Sequence, residues 1–276
     1  MRLTLGHSPD SDDAFMFYGL AAGLVDTEGL EFEHILADIQ SLNDWAREGR
    51  IDCTAISVHA YSHVRERYAI LRHGASIGDG YGPMVVSRVP MTLAQAAACG
   101  IAVPGLLTSA FLALSIRLGA PFRHQVMPFD TILPAVASGA APAGLLIHEG
   151  QLTHAESGVQ LIEDLGAWWK VDTGLPLPLG VNTIRRALPM DVQARASRVL
   201  RRSIEYGLAH RALALDHAMQ YARGLETQVA DRFVGMYVND LTVEMGERGM
   251  EAIRLLLERG AAAGLVPDAG EIDFVE

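Results

Sequence analysis

The 276-residue sequence predicts an α/β protein whose two similar lobes face one cleft. Three observations carry that expectation. The apolar period keeps switching between that of a strand and that of a helix. A unit of helix, glycine and strand occurs twice, once around Gly49 and once around Gly139. Beyond a proline-rich stretch ending at Gly180 the chain turns mostly helical.

In order, residues 2–6 read as a strand and 12–24 as a helix. Ser11 can cap that helix, and Asp12 and Asp13 fall in its first turn, where carboxylates meet the helix dipole favourably. A strand at 30–36, a helix at 41–48, a strand at 51–56 and a helix at 59–67 follow. Gly78-Asp-Gly-Tyr-Gly-Pro83 is turn-rich and leads into Met84-Val-Val-Ser-Arg88, a strand on the way out of the first domain. A second set comprises a strand at 101–103, a helix at 109–118, a strand at 126–129, a helix at 131–137 and the strand ending at His148. Leu175-Pro-Leu-Pro-Leu-Gly180 holds too much proline for a central strand and reads as an extended connector. Amphipathic patterns then predict helices at 191–209, 212–223, 228–239 and 249–263. The expected lobes are 1–88 with 185–276, and 89–184, hinged near Arg88 and at 179–184.

Half of the residues are hydrophobic, but they are dispersed, and no run approaches the roughly 18 apolar residues of a membrane span. The start lacks the apolar core of a secretory signal, so a cytoplasmic location is expected. Cys53 and Cys99 each sit among apolar neighbours, which predicts buried thiols rather than a disulfide or a zinc site. A net charge of -11 without a basic stripe argues against nucleic acid. A small anion is still admissible, because helix N-termini supply local positive potential whatever the global charge.

The run Ala143-Gly-Leu-Leu-Ile-His-Glu-Gly150 is a short apolar strand that ends in an imidazole and a carboxylate. Strand ends meet the ligand crevice in open α/β sheets, and histidine suits proton transfer near neutral pH. A histidine merely hydrogen-bonded at a strand end is the other reading of His148. Setting Gly49 against Gly139 brings Ser57 opposite Ile147 and Val58 opposite His148. Both halves thus present polar strand ends at corresponding places.

In Val103-Pro-Gly-Leu-Leu-Thr-Ser-Ala110, Thr108 or Ser109 can cap the following helix, whose first amides could hold a carboxylate if the turn opens onto the same cleft. Ser8-Pro-Asp-Ser-Asp-Asp13 lacks the glycine and distal glutamate of a calcium loop, and no metal is expected. Trp168 and Trp169 either stack on an aromatic ligand or pack the lobe. The 173–180 stretch with Pro176 would make a rigid cleft wall. His59 and His63 lie one helical turn apart without a third metal ligand, which favours surface or packing roles. The glycines at 78, 80 and 82 make no dinucleotide fingerprint and a Gly-x-Ser-x-Gly elbow is absent, so neither hydride transfer nor serine hydrolysis has support. No cofactor is expected.

Taken jointly, several motifs resemble the 1,4-dihydroxy-6-naphthoate synthase family. They are Ser8-Pro9 with Asp13 and Phe15-Met-Phe-Tyr18, Pro104-Gly105 with Thr108-Ser-Ala110, Ile132-Leu-Pro134, Gly144-Leu-Leu-Ile-His-Glu149, and Asp164-Leu-Gly-Ala-Trp-Trp169 with Thr173-Gly-Leu-Pro-Leu-Pro-Leu-Gly180. The match runs along essentially the whole chain, including Tyr237-Val-Asn239. The resemblance implies a two-lobed type II periplasmic-binding-protein-like fold with an interlobe cleft. It also implies a cytoplasmic lyase of the futalosine route to menaquinone, converting cyclic dehypoxanthinyl futalosine to 1,4-dihydroxy-6-naphthoate. His148 matches the family's general base, and Thr108 and Ser109 its anchor for a polar or carboxylate group. Ser8, Ser57, Trp168 and Pro176 complete the expected substrate-binding set. The expected partner is a small anionic substrate, with no nucleic acid or membrane, and a homodimer is left open.

One departure stands out. Family members commonly carry Ser-Pro-Cys-Pro-Asn-Asp in the first loop, whereas this chain has Ser8-Pro-Asp-Ser-Asp-Asp13, adding carboxylates beside a site expected to hold an anion. Two rival readings are a chorismate dehydratase of the same pathway and a non-catalytic small-anion solute-binding protein. The second predicts an export signal or a lipid-attachment cysteine.

Overall fold

Side-chain caps and left-handed glycines punctuate this chain into short strands and helices. Asp38 accepts from the Gln40 and Ser41 amides, Thr108 from Phe111, and Asp164 from Gly166 and Ala167, each satisfying orphan donors of a first turn. Gly49 (φ 71°) and Gly139 (φ 82°) close the helices of the two corresponding units in a conformation that favours glycine.

The computed structural model describes residues 1–222, 225–268 and 270–276. The elements are β1 (Arg2–His7), α1 (Ser11–Met16), α2 (Tyr18–Ala21), β2 (Glu31–Leu36), α3 (Ile39–Glu48), β3 (Cys53–Ser57), α4 (Val58–Val64), β4 (Tyr68–Leu71), β5 (Ser76–Gly78) and β6 (Met84–Ser87). They continue with α5 (Leu93–Cys99), β7 (Ile101–Val103), α6 (Ser109–Leu118), β8 (His124–Val126), α7 (Phe129–Ser138), β9 (Ala143–Leu146), α8 (Gly150–Thr153), β10 (Gln160–Asp164), α9 (Leu165–Thr173) and β11 (Leu177–Arg185). The remainder is α10 (Met190–Ala209), α11 (Arg211–Met219), α12 (Thr227–Tyr237), α13 (Asp240–Val243), α14 (Gly246–Ala262) and β12 (Phe274–Val275).

Among the described residues the strands form two sheets, ordered β12-β4-β11-β3-β1-β2 with β5 also on β11, and β10-β6-β9-β7-β8. β1 runs parallel to β2 and β3, while β11 lies antiparallel between β3 and β4. The chain passes into the second sheet between β5 and β6 and returns between β10 and β11. Met84–Ser87 and residues 177–184 of β11 therefore stand on the far sides of the expected borders at 88 and 184. One apolar cluster joins the sheets, from Tyr61 and Ile77 through Val85 and Leu112 to Leu145 and Trp169. No helix among the described residues is long and apolar enough to cross a membrane.

Several expectations are corrected. The helix expected at 12–24 breaks at Phe17, because Ser203 of α10 donates to the Met16 carbonyl and accepts from the Leu20 amide, entering the helical ladder. The proline-rich connector is the start of a central strand. Pro178 stands opposite Ile77 of short β5 beside a bulge, and the stretch flanked by both β3 and β4 holds no proline. β4, β5, α5, β10 and α9 went unforeseen, and β8 ends where the expected 126–129 strand begins. Cys53 is buried as expected, but Cys99 is exposed at the end of α5. Arg223, expected to end a helix, lies outside the described residues.

Candidate active site

The carboxyl ends of β1 and β3, the start of α6 and the segment after β9 converge on one cavity of about 770 Å³, counting its open mouth. Ser8, Asp12, Ser57, Ser109, Ile147 and Tyr237 lie on its wall, with Leu179, Gly180 and Val181 of β11 as its floor. Ser57 and Ile147, matched through Gly49 and Gly139, both face it. The repeated helix–glycine–strand unit delivers its two strand ends to the same space.

At the α6 end the hydroxyls are committed and the amides are not. Thr108 Oγ1 donates to the Gly105 carbonyl at 2.8 Å and accepts from the Phe111 amide at 3.2 Å. Ser109 Oγ donates to the Leu179 carbonyl at 2.5 Å and accepts from the His59 amide at 3.2 Å. The Phe111 and Leu112 amides both bond Thr108, so the first-turn amides of α6 with no protein partner among the described residues are those of Ser109 and Ala110, both cavity-lining residues. With both hydroxyls bonded within the protein, any anchor at Thr108 and Ser109 would have to be their helix turn rather than their side chains. Ser57 adds a third donor: its Oγ accepts from Asn43 Nδ2 at 3.1 Å, which leaves its own proton to point elsewhere.

The α1 end has the opposite chemistry. Asp10, Asp12 and Asp13 line the cavity, and Glu149 is buried close by, accepting from Ser11 Oγ at 3.2 Å. Burial, then the Asp13, Asp10 and Glu149 charges, push the Asp12 carboxyl well above the usual range. Asp13 is raised to about 6, chiefly by burial, although its Oδ2 accepts the Ser8 amide at 2.7 Å. Behind this loop His7 Nε2 faces His34 Nδ1 at 2.9 Å, and burial, then His34, push His7 down to about 4.

Of the residues singled out from sequence, Ser8, Ser57, Thr108 and Ser109 meet in the cavity. His148 is buried one residue beyond the lining Ile147, and it is not among the lining residues. Its ring packs edge-on against Phe129, and Nδ1 accepts from the Gly150 amide at 3.3 Å. Trp168 is not brought to the cavity; it lies half-buried on α9 under the Arg117 guanidinium. Pro176, buried just before β11, is also outside the lining. His59 is a packing residue, with Nδ1 at 3.2 Å from the Thr108 carbonyl and its pKa pushed down to about 4 by burial.

The sequence assigned no site role to Asn43, or to Tyr237 beyond its place in the family resemblance. Asn43 is fully buried in α3 beside Leu42 and both donates to Ser57 Oγ and accepts from the Ser57 amide, fixing the hydroxyl. A polar residue on the apolar stripe of an amphipathic helix was the available signal. Tyr237 closes the cavity from α12, its hydroxyl donating to Gln151 Oε1 at 2.8 Å, a contact between segments 86 residues apart.

Comparisons with known proteins bear on this geometry. A family model described as menaquinone biosynthesis matches residues 3–262. A Thermus thermophilus protein named 1,4-dihydroxy-6-naphthoate synthase is 41% identical over 273 residues, covering 99% of each chain. A crystal structure of an Archaeoglobus fulgidus protein shares 45% identity with a TM-score of 0.92, covering 96% of this chain and 98% of that one. The alkanesulfonate-binding protein of Xanthomonas axonopodis pv. citri, solved bound to MOPS, superposes with a TM-score of 0.72 at 12% identity, covering 97% and 95%. That last likeness concerns the fold alone, and it is the two-lobed periplasmic-binding-protein fold.

Proposed function

Because the chain belongs to the menaquinone biosynthesis family of enzymes, we propose that it is the lyase that converts cyclic dehypoxanthinyl futalosine to 1,4-dihydroxy-6-naphthoate. The observation that carries this reading is the donor set at one end of the cavity: the free Ser109 and Ala110 amides and the Ser57 proton, beside Ile147 and hence His148. Donors so placed suit the substrate's carboxylate, since a helix N-terminus stabilises negative charge without a net cation.

Each residue then has a task. The α6 turn and Ser57 hold the carboxylate and orient the ring system, Asn43 holds Ser57, and closure around the ligand excludes water. His148 removes a proton from the substrate, so that the bond to the sugar-derived part breaks and the second ring aromatises. With Nδ1 accepting from Gly150, a neutral His148 ring carries its proton on Nε2. The base is therefore Nδ1, once the ring turns away from Gly150 toward the ligand.

Purified protein incubated with cyclic dehypoxanthinyl futalosine should release 1,4-dihydroxy-6-naphthoate. Consumption of chorismate with no turnover of the futalosine would favour the dehydratase. A futalosine recovered unchanged would favour a solute-binding protein.

A further inference from the structure

β11 carries a polar side chain that the rest of the protein leaves unsatisfied. Asn182 is 2% exposed, and its Nδ2 has no hydrogen-bond partner. Its neighbour Thr183 is equally buried yet donates to the Thr54 carbonyl at 2.9 Å. A buried donor without an acceptor costs more than an ordinary hydrogen bond contributes, so an apolar residue would fit this strand better unless the amide serves something else.

The register says which way the side chain faces. Asn182 pairs with Ala55 and Gly180 with Ser57 across the antiparallel β11–β3 ladder, and directly opposed residues share a face of the sheet. Ala55 and Ser57 both line the cavity, and so does Gly74, against which the Asn182 amide packs; Asn182 itself is not a lining residue and lies just behind that wall. On its other side β11 is unpaired at that point: β5 leaves it at Gly180 and β4 joins at Thr183. The intervening turn covers the gap with Gly74, a cavity-lining residue at φ 80°, where any Cβ would overlap Nδ2. Only a glycine leaves room there, and it makes the covering of the amide one backbone thick.

We propose that Asn182 is a second polar anchor for the ligand, donating from Nδ2 to a neutral acceptor oxygen, a ketone or hydroxyl, near Ala55, Gly74 and Ser76. This contact is separate from the carboxylate held at α6, and it forms as the Gly74 turn yields to the ligand. It therefore selects for a substrate with oxygen functions at two places, and it rests on the lyase reading above.

Asn182→Val and Asn182→Asp test it, by melting temperature without ligand, by KM and kcat on cyclic dehypoxanthinyl futalosine, and by product affinity in calorimetry. Asn182→Val should melt no lower than the natural chain, because it removes an unmet donor. Its KM should rise about tenfold to a hundredfold, with KM carrying more of the loss than kcat. Asn182→Asp, which turns the donor into an anion, should raise KM at least as far. A KM within twofold of the natural chain for both variants would overturn the proposal, as would a lower melting temperature for Asn182→Val without a KM change. Failure of the natural chain to turn over the futalosine would instead sink the lyase reading alone.

Discussion

Two helix starts face the same cavity with opposite chemistry. α6 opens with capped hydroxyls, two free amides and no acid in its first turn, whereas α1 opens with Asp12 and Asp13 and receives no side-chain cap. At α6 the polar side chains are spent on the protein and the backbone is left for the ligand. At α1 the carboxylates crowd one another and Glu149, and their pKa values rise. The cavity is therefore polarised, and a chain of net charge -11 can seat an anion at one end while repelling it from the other.

The largest expected effect comes from the residue on which both ends should act. His148→Ala should lower kcat about a hundredfold to ten-thousandfold while product affinity, measured by calorimetry, changes little. If turnover is retained, the two helix starts do not frame a reaction in which this imidazole is the base.

Ala110→Pro sharpens the contrast at α6, because proline is tolerated in a first turn but deletes the amide. KM should rise about tenfold, and a carboxylate-free analogue should be indifferent to the change. Equal losses for both compounds would show that the turn shapes the cavity without binding charge.

At α1 the expected effect is on stability. A carboxyl with a raised native pKa binds its proton better when folded. The Asp13 contribution is thus full below 3.8 and lost as pH rises through about 6. His7 and His59, pushed down to about 4, contribute in the other sense: theirs is full above 6.5 and lost as pH falls toward 4. Acidification from pH 7 to 4.5 therefore weakens the histidines while Asp13 offsets part of the loss, by about 2 kcal/mol. Asp13→Asn should melt about 3–6 °C further down over that interval than the natural chain. Parallel melting curves would place the Asp13 titration elsewhere.

Trp168→Ala should do least. KM should stay within twofold, with a stability loss of about 1 kcal/mol from the Arg117 contact and partial burial. A large rise in KM would mean that α9 swings onto the ligand.

The same contrast explains what the sequence revealed. Apolar periodicity located β1, β3, β9 and α6 closely, because burial on a face imposes a pattern that a single chain displays. The Gly49 and Gly139 correspondence placed Ser57 and Ile147 on one cavity, because helix stops are local. What stayed hidden depends on partners distant in sequence. Ser203 breaking the first helix, Asn43 taking hold of Ser57, and Pro178 tolerated at a bulge each need a second segment to become visible. The roles of Thr108 and Ser109 were half legible: the turn was found, but that Leu179 and His59 occupy the Ser109 hydroxyl could not be.

A crystal structure with 1,4-dihydroxy-6-naphthoate bound tests the polarised cavity most directly. The carboxylate should lie about 3 Å from the Ser109 and Ala110 amides and Ser57 Oγ, with the rings extending past Ile147 toward His148. A carboxylate seated against Asp12 and Asp13, with the α6 amides untouched, would contradict it.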